Sequence, residues 1–120
     1  MLADILGPLG RLFRKPPPET RWVDVAELRR RLAAPDAPLV LDVRGADEFD
    51  GPLGHIDGAR NVPLPALASR QSEIVGAGRP VVCVCLTDKR SSAAAAALAA
   101  CGLADVAVLR GGMKAWREVS

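Results

Sequence analysis

The sequence predicts an α/β domain with three layers, in which a mostly parallel central sheet has helices on both faces. Three apolar runs have the length of buried strands: PLVLDV (38–43), VVCVC (81–85) and VAVL (106–109). Segments in which apolar residues recur at helical spacing lie between these runs. Strands that alternate with helices favour a parallel sheet, because two parallel strands need a crossover connection between them.

The size and charge of the chain fit one domain without a nucleic-acid partner. The chain has 120 residues, which is enough to build one hydrophobic core. It contains 16 Lys and Arg residues against 14 Asp and Glu residues, so its formal net charge is only +2. This balance argues against the strongly basic surface that is typical of nucleic-acid binders.

Cysteine usage indicates reduced thiols. The chain has three cysteines, an odd number without the spacing of a disulfide framework. Cys83 and Cys85 form one C-x-C pair, no second pair follows, and His55 is the only histidine, so we expect no structural zinc site. A cytoplasmic location is the default expectation for such a chain.

Residues 1–19 are expected to form an apolar arm with a proline-rich connector, and residues 20–120 the domain itself. Glycines and a proline weaken a helix in the arm, although its apolar residues have helical spacing. The arm lacks the basic start of a secretory signal, and no run is long enough to span a bilayer. Two interpretations stay open: an arm that docks on a partner or a membrane surface, and a tail that packs on its own domain.

The first half of the domain is expected to contain two strands and two helices. RWV (21–23) forms a short strand, and Asp24 then precedes Glu27 by three residues, an acidic version of the capping box. The helix that follows should bury Val25, Leu28 and Leu32 and end near Pro35. A buried strand, a brief helix and a glycine-rich loop come next, at 38–43, 45–49 and 51–59.

The second half is expected to continue the alternation. RNVPL (60–64) is predicted to be an edge strand, because Pro63 has no N–H for a sheet ladder. A helix should run from Ser91 to Cys101 and end on Gly102 as a left-handed cap. A helix is also expected at 65–73, a turn at 76–80, and strands at 81–85 and 106–109. A turn at 110–112 should lead into the last helix at 113–119.

Cys85 lies where a buried strand is expected to meet a helix, and ligands bind at the carboxyl ends of strands in parallel sheets. The loop after it, LTDKR, leads into the helix, whose first turn has unpaired N–H groups and the positive end of the helix dipole. If the loop curls around the sulfur, its amides form an anion-binding nest, and Lys89 and Arg90 add positive charge. These effects favour a reactive thiolate. The alternative is a cysteine buried in the core, which suits Cys83 and Cys101 better, because polar residues follow Cys85 at once.

Four segments resemble, in the right order, the single-domain members of the rhodanese family of sulfurtransferases, over about residues 22–118. VLDVRGADEF is similar to the family's Asp-x-Arg strand and the acidic–aromatic pair after it. GHIDGARNVPL is similar to its Gly-His-Ile-x-Gly-Ala-x-Asn-Ile-Pro signature, CLTDKRS to its Cys-x4-Arg active loop, and LRGGMKAW to its Gly-Gly-x-x-x-Trp end. The resemblance implies a rhodanese-like fold and a sulfurtransferase activity.

The resemblance also implies roles for single residues. Cys85 would be the nucleophile that takes up a sulfane sulfur as a persulfide. Arg90 would order the active loop and face incoming anions. The amides of the active loop would cradle the sulfur; its residues are Leu86, Thr87, Asp88, Lys89 and Arg90. The positions of Asp42, Arg44 and Glu48 would support the base of the loop, and His55 would be a turn residue and not a catalytic base.

The sequence departs from the family pattern at two places. Asp88 stands where many members have glycine, a position that often needs a positive φ. Its carboxylate also brings negative charge near an anion site, so it could oppose the thiolate, pair with Lys89 or Arg90, or select a less anionic donor. The segment DGPLGHI is longer than the shortest family spacing, which we interpret as loop variation.

The function implied is transfer of a sulfane sulfur from a donor such as thiosulfate, through a Cys85 persulfide, to cyanide or a thiol, without a metal or an organic cofactor. Three alternatives remain: a catalytically weak binding or regulatory module, a sulfur carrier that serves a protein acceptor, and a phosphatase or arsenate reductase. The last is disfavoured because those enzymes use Cys-x5-Arg, whereas Cys85 and Arg90 are separated by four residues. No firm membrane association is expected, and the oligomeric state stays open.

Overall fold

The computed structural model describes residues 19–119. The apolar arm and nearly all of the connector predicted at residues 1–19 lie outside the described residues. Five strands form one sheet: β1 (Trp22–Val23), β2 (Leu39–Asp42), β3 (Arg60–Asn61), β4 (Val81–Val84) and β5 (Val106–Leu109). The helices are α1 (Val25–Leu32), α2 (Ala46–Phe49), α3 (Leu67–Gly76), α4 (Lys89–Ala100) and α5 (Gly112–Glu118), with a 3-10 turn (Leu64–Ala66) before α3.

The strands are ordered β1-β5-β4-β2-β3, and every pairing among the described residues is parallel. The α/β prediction is therefore confirmed, and the sheet of residues 19–119 is wholly parallel where the sequence predicted a mostly parallel one. The strands β2, β4 and β5 are buried along their full length, which explains their continuous apolar runs. The short strands β1 and β3 form the two edges.

Helices cover both faces of the sheet. Alternate strand residues point to opposite faces, so Leu41 and Cys83 belong to one core cluster and Val40 and Val82 to the other. The first cluster contains buried residues of α3 and α4, and the second contains buried residues of α1 and α5. This is the predicted three-layer arrangement.

Two helix ends follow the predicted local chemistry. The Asp24 carboxylate accepts a hydrogen bond of 2.7 Å from the Glu27 N–H, which caps the start of α1. Gly102 has φ +102° beyond the end of α4. The N–H groups of Gly102 and Leu103 bond to the carbonyls of Ala99 and Leu98 at 3.0 Å, the pattern of a Schellman cap.

Several boundaries differ from the sequence prediction. The helix α4 begins at Lys89, two residues before the predicted start at Ser91, so Lys89 and Arg90 belong to its first turn and not to the loop. β4 ends at Val84, which leaves Cys85 as the first residue beyond the strand. α1 ends at Leu32, before Pro35, and α3 extends to Gly76. Within residues 19–119, no helix is long and apolar enough to cross a membrane.

Candidate active site

Cys85 lies between the carboxyl end of β4 and the start of α4, with only Leu86, Thr87 and Asp88 between it and the helix. Its residue surface is 1% exposed, and it packs against the core cluster under α3 and α4. The three loop residues are exposed or half-buried, and Leu86 is 39% exposed. The loop therefore covers the thiol and is itself accessible to solvent.

Ser91 is the residue that contacts the thiol. Its backbone N–H donates to the Cys85 Sγ at 3.3 Å, and its buried Oγ lies 3.2 Å from the same atom. Ser91 is the third residue of α4, and its N–H has no acceptor in a preceding turn of helix. The Asp88 side chain at the N-cap makes no capping hydrogen bond. The sulfur therefore takes the place that a capping oxygen usually occupies, and this part of the site was missed by sequence reasoning.

The backbone of the loop is held by the start of α5. The N–H of Met113 donates to the Cys85 carbonyl at 2.8 Å, and the N–H of Lys114 donates to the Leu86 carbonyl at 3.1 Å. Gly112 has φ +57°, and a Cβ there would overlap the carbonyl oxygens of Cys85 and Thr87. A glycine is thus required where the last helix meets the loop, which accounts for the second glycine of LRGGMKAW.

Arg90 is engaged by a carboxylate on the neighbouring helix. Its two terminal nitrogens donate to the two oxygens of Glu48 at 2.7 and 3.0 Å. The hydrogen bond with Arg90 is the main reason that the pKa of Glu48 falls from 4.5 to about 2. The same carboxylate raises the pKa of Arg90. Glu48 also accepts the N–H of Gly45 at 3.2 Å, so it joins the loop helix α4 to the start of α2.

Asp42, the last residue of β2, and Arg44, two residues further on, form a fully buried ion pair. Both side chains are 1% exposed, and the Arg44 terminal nitrogen lies 2.7 Å from the Asp42 carboxylate. The guanidinium also donates to the carbonyls of Glu48 at 3.1 Å and Gly54 at 2.7 Å. Asn61 donates to the carbonyls of both members of the pair. The network connects β2 with α2 and with the loop before β3, and it contacts Glu48 through the backbone carbonyl of that residue.

His55 lies away from the thiol, in contacts that involve Phe49. Its Nδ1 is 2.8 Å from the Phe49 carbonyl, and because a carbonyl only accepts, Nδ1 is the donor. The two rings are stacked with centroids 3.6 Å apart. These contacts orient the loop of residues 51–59 and give His55 a structural task.

The other two cysteines have different surroundings. Cys83 is completely buried inside β4, and burial is the main cause that raises the pKa of its thiol to about 12. Cys101 is exposed at the end of α4. Burial therefore keeps the Cys83 thiol protonated, and the exposed Cys101 lies at the opposite end of α4 from Cys85.

The sequence expectation is wrong for the burial of two cysteines, because Cys85 is buried and Cys101 is exposed. Three further features differ from it. The hydrogen bonds to Sγ within residues 19–119 come from Ser91, and not from the amides of Leu86 to Arg90. Arg90 faces Glu48, whereas Lys89 is exposed beside it in the same helical turn. Asp88 has φ −150°, so this position does not need the positive φ that glycine would supply. The early start of α4 accounts for the change at Lys89 and Arg90, because both residues then belong to the first helical turn.

A parallel α/β sandwich with a cysteine at the mouth of a helix, a Cys-x4-Arg loop and a buried Asp–Arg base defines a rhodanese-type fold. A family model for the rhodanese-like domain matches residues 24–119. The chain therefore belongs to the rhodanese-like domain family.

Similar proteins agree with this membership. The thiosulfate sulfurtransferase GlpE of Shewanella oneidensis is 37% identical over 81 residues, which cover 68% of this chain and 77% of that protein. The uncharacterized protein YqhL of Bacillus subtilis is 43% identical over 77 residues, which are 64% of this chain and only 59% of that relative. The crystal structure of a rhodanese-related protein from Thermoplasma volcanium matches with a TM-score of 0.72 and 28% identity, over 83% of this chain and 93% of that one.

Proposed function

We propose that the protein is a sulfurtransferase that uses Cys85 as its nucleophile. In the first step the Cys85 thiolate attacks the outer sulfur of thiosulfate, the S–S bond of the donor breaks, and sulfite leaves with the electron pair of that bond. In the second step cyanide or a thiolate attacks the outer sulfur of the resulting persulfide. Thiocyanate or a new persulfide leaves, and the Cys85 thiolate is restored.

The observation that best supports this proposal is the position of Sγ at the first turn of α4. It accepts the Ser91 N–H at 3.3 Å, at the positive end of a twelve-residue helix. A negative sulfur is stabilised there, whether it belongs to the thiolate or to the departing side of a persulfide. Lys89 is an exposed cation next to the loop, so we assign to it the attraction of anionic donors. Arg90, paired with Glu48, would hold the loop in place.

Catalysis requires movement of the loop, because Cys85 is 1% exposed. The base of the loop is held by two backbone hydrogen bonds to α5, and its exposed part consists of Leu86 and Thr87. We propose that the side chains of these two residues turn away from Sγ to admit the donor, while the Leu86 carbonyl stays bonded to α5. Exposed side chains change rotamer at low cost in free energy.

Intact-mass spectrometry after treatment with thiosulfate tests the proposal. One added sulfur atom is expected on the wild type and on Cys101→Ser, and none on Cys85→Ser. Cys101→Ser is the matched control because Cys101 is an exposed thiol outside the site. Cys83→Ala should still take up sulfur, since the Cys83 thiol is buried and protonated. Sulfur that stays on the Cys85→Ser variant would refute the assignment of the nucleophile.

A second candidate function is a binding or regulatory module without catalysis. The burial of Cys85 and the pairing of Arg90 with Glu48 favour it, because neither group is presented to solvent as a ready anion receptor. The mass experiment separates the two functions, since a module of this kind takes up no sulfur.

The sulfurtransferase proposal also includes a protein acceptor for the persulfide and a cytoplasmic location, where thiols stay reduced.

A further inference from the structure

A cleft of about 720 Å³ lies at the end of the sheet opposite Cys85. Pro38 and Leu39, at the amino end of β2, line it together with Arg79, which precedes β4. Cys85 follows the carboxyl end of β4, and β2 and β4 run parallel. The cleft is therefore separate from the candidate active site, and its volume is in the range of small-molecule sites.

The floor of the cleft is apolar and contains an aromatic ring. Val40, Ile56 and Trp116 are all buried residues of the core cluster between the sheet and the helices α1 and α5, and each lines the cleft. Leu32, at the end of α1, is half-buried beside them. Val40, Ile56 and Trp116 are at most 7% exposed, so a hydrocarbon or aromatic group in the cleft would cover mainly the open surface of Leu32, Ala33 and Ala37 above them and gain free energy from its burial.

Positive charge dominates the rim. Arg29, Arg79 and Arg117 line the cleft from α1, the turn before β4 and α5, whereas Asp57 is the only carboxylate residue among those that line it. Each arginine is oriented by contacts with the domain itself. Arg29 lies over the Trp116 ring at 4.1 Å. Arg79 donates to the Ala37 carbonyl at 3.2 Å, and Arg117 Nε to the Leu53 carbonyl at 2.7 Å.

Two of these arginines keep donors for a ligand. Within residues 19–119, neither Arg29 nor Arg79 forms a salt bridge with a carboxylate. A guanidinium has five N–H donors, and Arg79 uses one nitrogen on Ala37. Guanidinium groups bind carboxylate and sulfonate oxygens with charge-assisted hydrogen bonds.

We propose that this cleft is a binding site for a small organic anion with an aromatic body, whose ring lies on the Trp116 side and whose acidic group is bound by Arg79 and its neighbours. The apolar floor provides the affinity for the ring, and the arginine rim selects the negative charge. The site is independent of the sulfurtransferase proposal, because it shares no residue with the Cys85 loop.

Titration with 2-naphthoate, followed by the two tryptophan indole N–H signals in heteronuclear NMR spectra, tests the proposal. The chain has only two tryptophans. Trp116 lines the cleft, and Trp22 lies on the edge strand β1 at the other side of the sheet. Naphthoate should shift the Trp116 signal and leave the Trp22 signal in place, and neutral 2-naphthalenemethanol should bind at least about fivefold more weakly, because it lacks the charge that the arginines select.

Two variants complete the test. Arg79→Gln should raise the Kd for naphthoate at least about tenfold, the loss expected for one charged hydrogen bond. Arg21→Gln is the matched control, because Arg21 is also exposed but pairs with Asp105 outside the cleft, and its Kd should equal that of the wild type. Equal binding of the neutral alcohol, an unshifted Trp116 signal, or equal losses in the two variants would overturn the proposal.

Discussion

The Glu48 carboxylate holds the Arg90 guanidinium through two hydrogen bonds of 2.7 and 3.0 Å, although the two residues are 42 positions apart in sequence. This pair joins the helix that follows β2 to the first turn of the helix that carries the cysteine loop. The arginine of the Cys-x4-Arg motif is therefore already paired with a carboxylate, although its side chain is 37% exposed. In the proposed sulfur transfer, an anionic donor would therefore be attracted by Lys89 or would compete with Glu48 for Arg90.

The first prediction concerns the pH dependence of stability. The pKa of Glu48 is lowered to about 2, first by its hydrogen bond with Arg90, so the folded state favours the charged carboxylate. The stabilisation is fully present above pH 4.5, the ordinary pKa of this group, and is lost as the pH falls toward 2. Glu48→Gln should cost about 1 kcal/mol or less near neutral pH, because the pair is more than one third exposed. Urea unfolding should show that the difference in free energy of unfolding between the wild type and Glu48→Gln vanishes in acid. In an Arg90→Gln background, Glu48→Gln should have little effect at any pH.

The second prediction concerns the buried pair of Asp42 and Arg44. Asp42→Asn should destabilise the domain by about 3–5 kcal/mol, because Arg44 would be left as a buried charge without its counterion. Arg21→Gln, which breaks an exposed pair, should cost less than about 1 kcal/mol. Both values can be measured by denaturant unfolding. Equal, small losses in the two variants would mean that water reaches Arg44.

The third prediction concerns Gly112. Gly112→Ala should cost about 3 kcal/mol or more, because it combines an unfavourable positive φ with overlap of the Cys85 and Thr87 carbonyls. Gly78→Ala is the matched control, since Gly78 has φ +68° with open space around it. It should cost only about 1–2 kcal/mol. Thermal or urea unfolding gives both values, and a Gly112→Ala variant no less stable than Gly78→Ala would contradict the close contact.

The fourth prediction concerns the Ser91 hydroxyl. Ser91→Ala should slow alkylation of Cys85 by iodoacetamide about tenfold, because a hydrogen bond worth about 1–1.5 kcal/mol to the thiolate is lost. The reaction is followed by mass spectrometry in a Cys101→Ser background, which removes the exposed thiol. Ser92→Ala, one position further along α4, should react like its parent. A rate unchanged by Ser91→Ala would mean that the hydroxyl donates elsewhere when the loop opens.

The fifth prediction concerns Asp88 and rests on the proposed sulfur transfer. Asp88→Asn removes a negative charge at the start of α4 without a change of size. It should raise kcat/KM for thiosulfate, a dianion, about two- to fivefold, and less for methanethiosulfonate, a monoanion. The gain should diminish at high salt, since exposed charges are screened. Equal changes in kcat/KM for the two donors would mean that Asp88 does not act on the charge of the donor and has only a structural role at the helix start.

The amino-acid sequence was sufficient to predict the layers and the position of the cysteine. The runs at 38–43, 81–85 and 106–109 are mostly apolar and of strand length, which is typical of strands covered on both faces, and they form the three central strands of the sheet. The capping aspartate of α1 and the glycine after α4 act locally, so their roles could also be predicted.

Contacts between distant segments could not be predicted in the same way. The burial of Cys85 and its hydrogen bonds with Ser91 depend on where α4 begins. The helix begins at Lys89, two residues before the predicted start at Ser91. The overlap that makes Gly112 necessary depends on how α5 lies against the loop. The arginine rim of the cleft combines residues from α1, the turn before β4 and α5.

The sequence by itself determined an α/β domain with a thiol at the carboxyl end of a central strand, because hydrophobic periodicity and local turn chemistry need only neighbouring residues. Only the tertiary structure decided that Glu48 binds Arg90, that the Cys85 thiol is buried, and that three arginines line one cleft. The physical reason is that charge pairing and burial depend on distances in space, which side chains far apart along the chain acquire only when the layers pack.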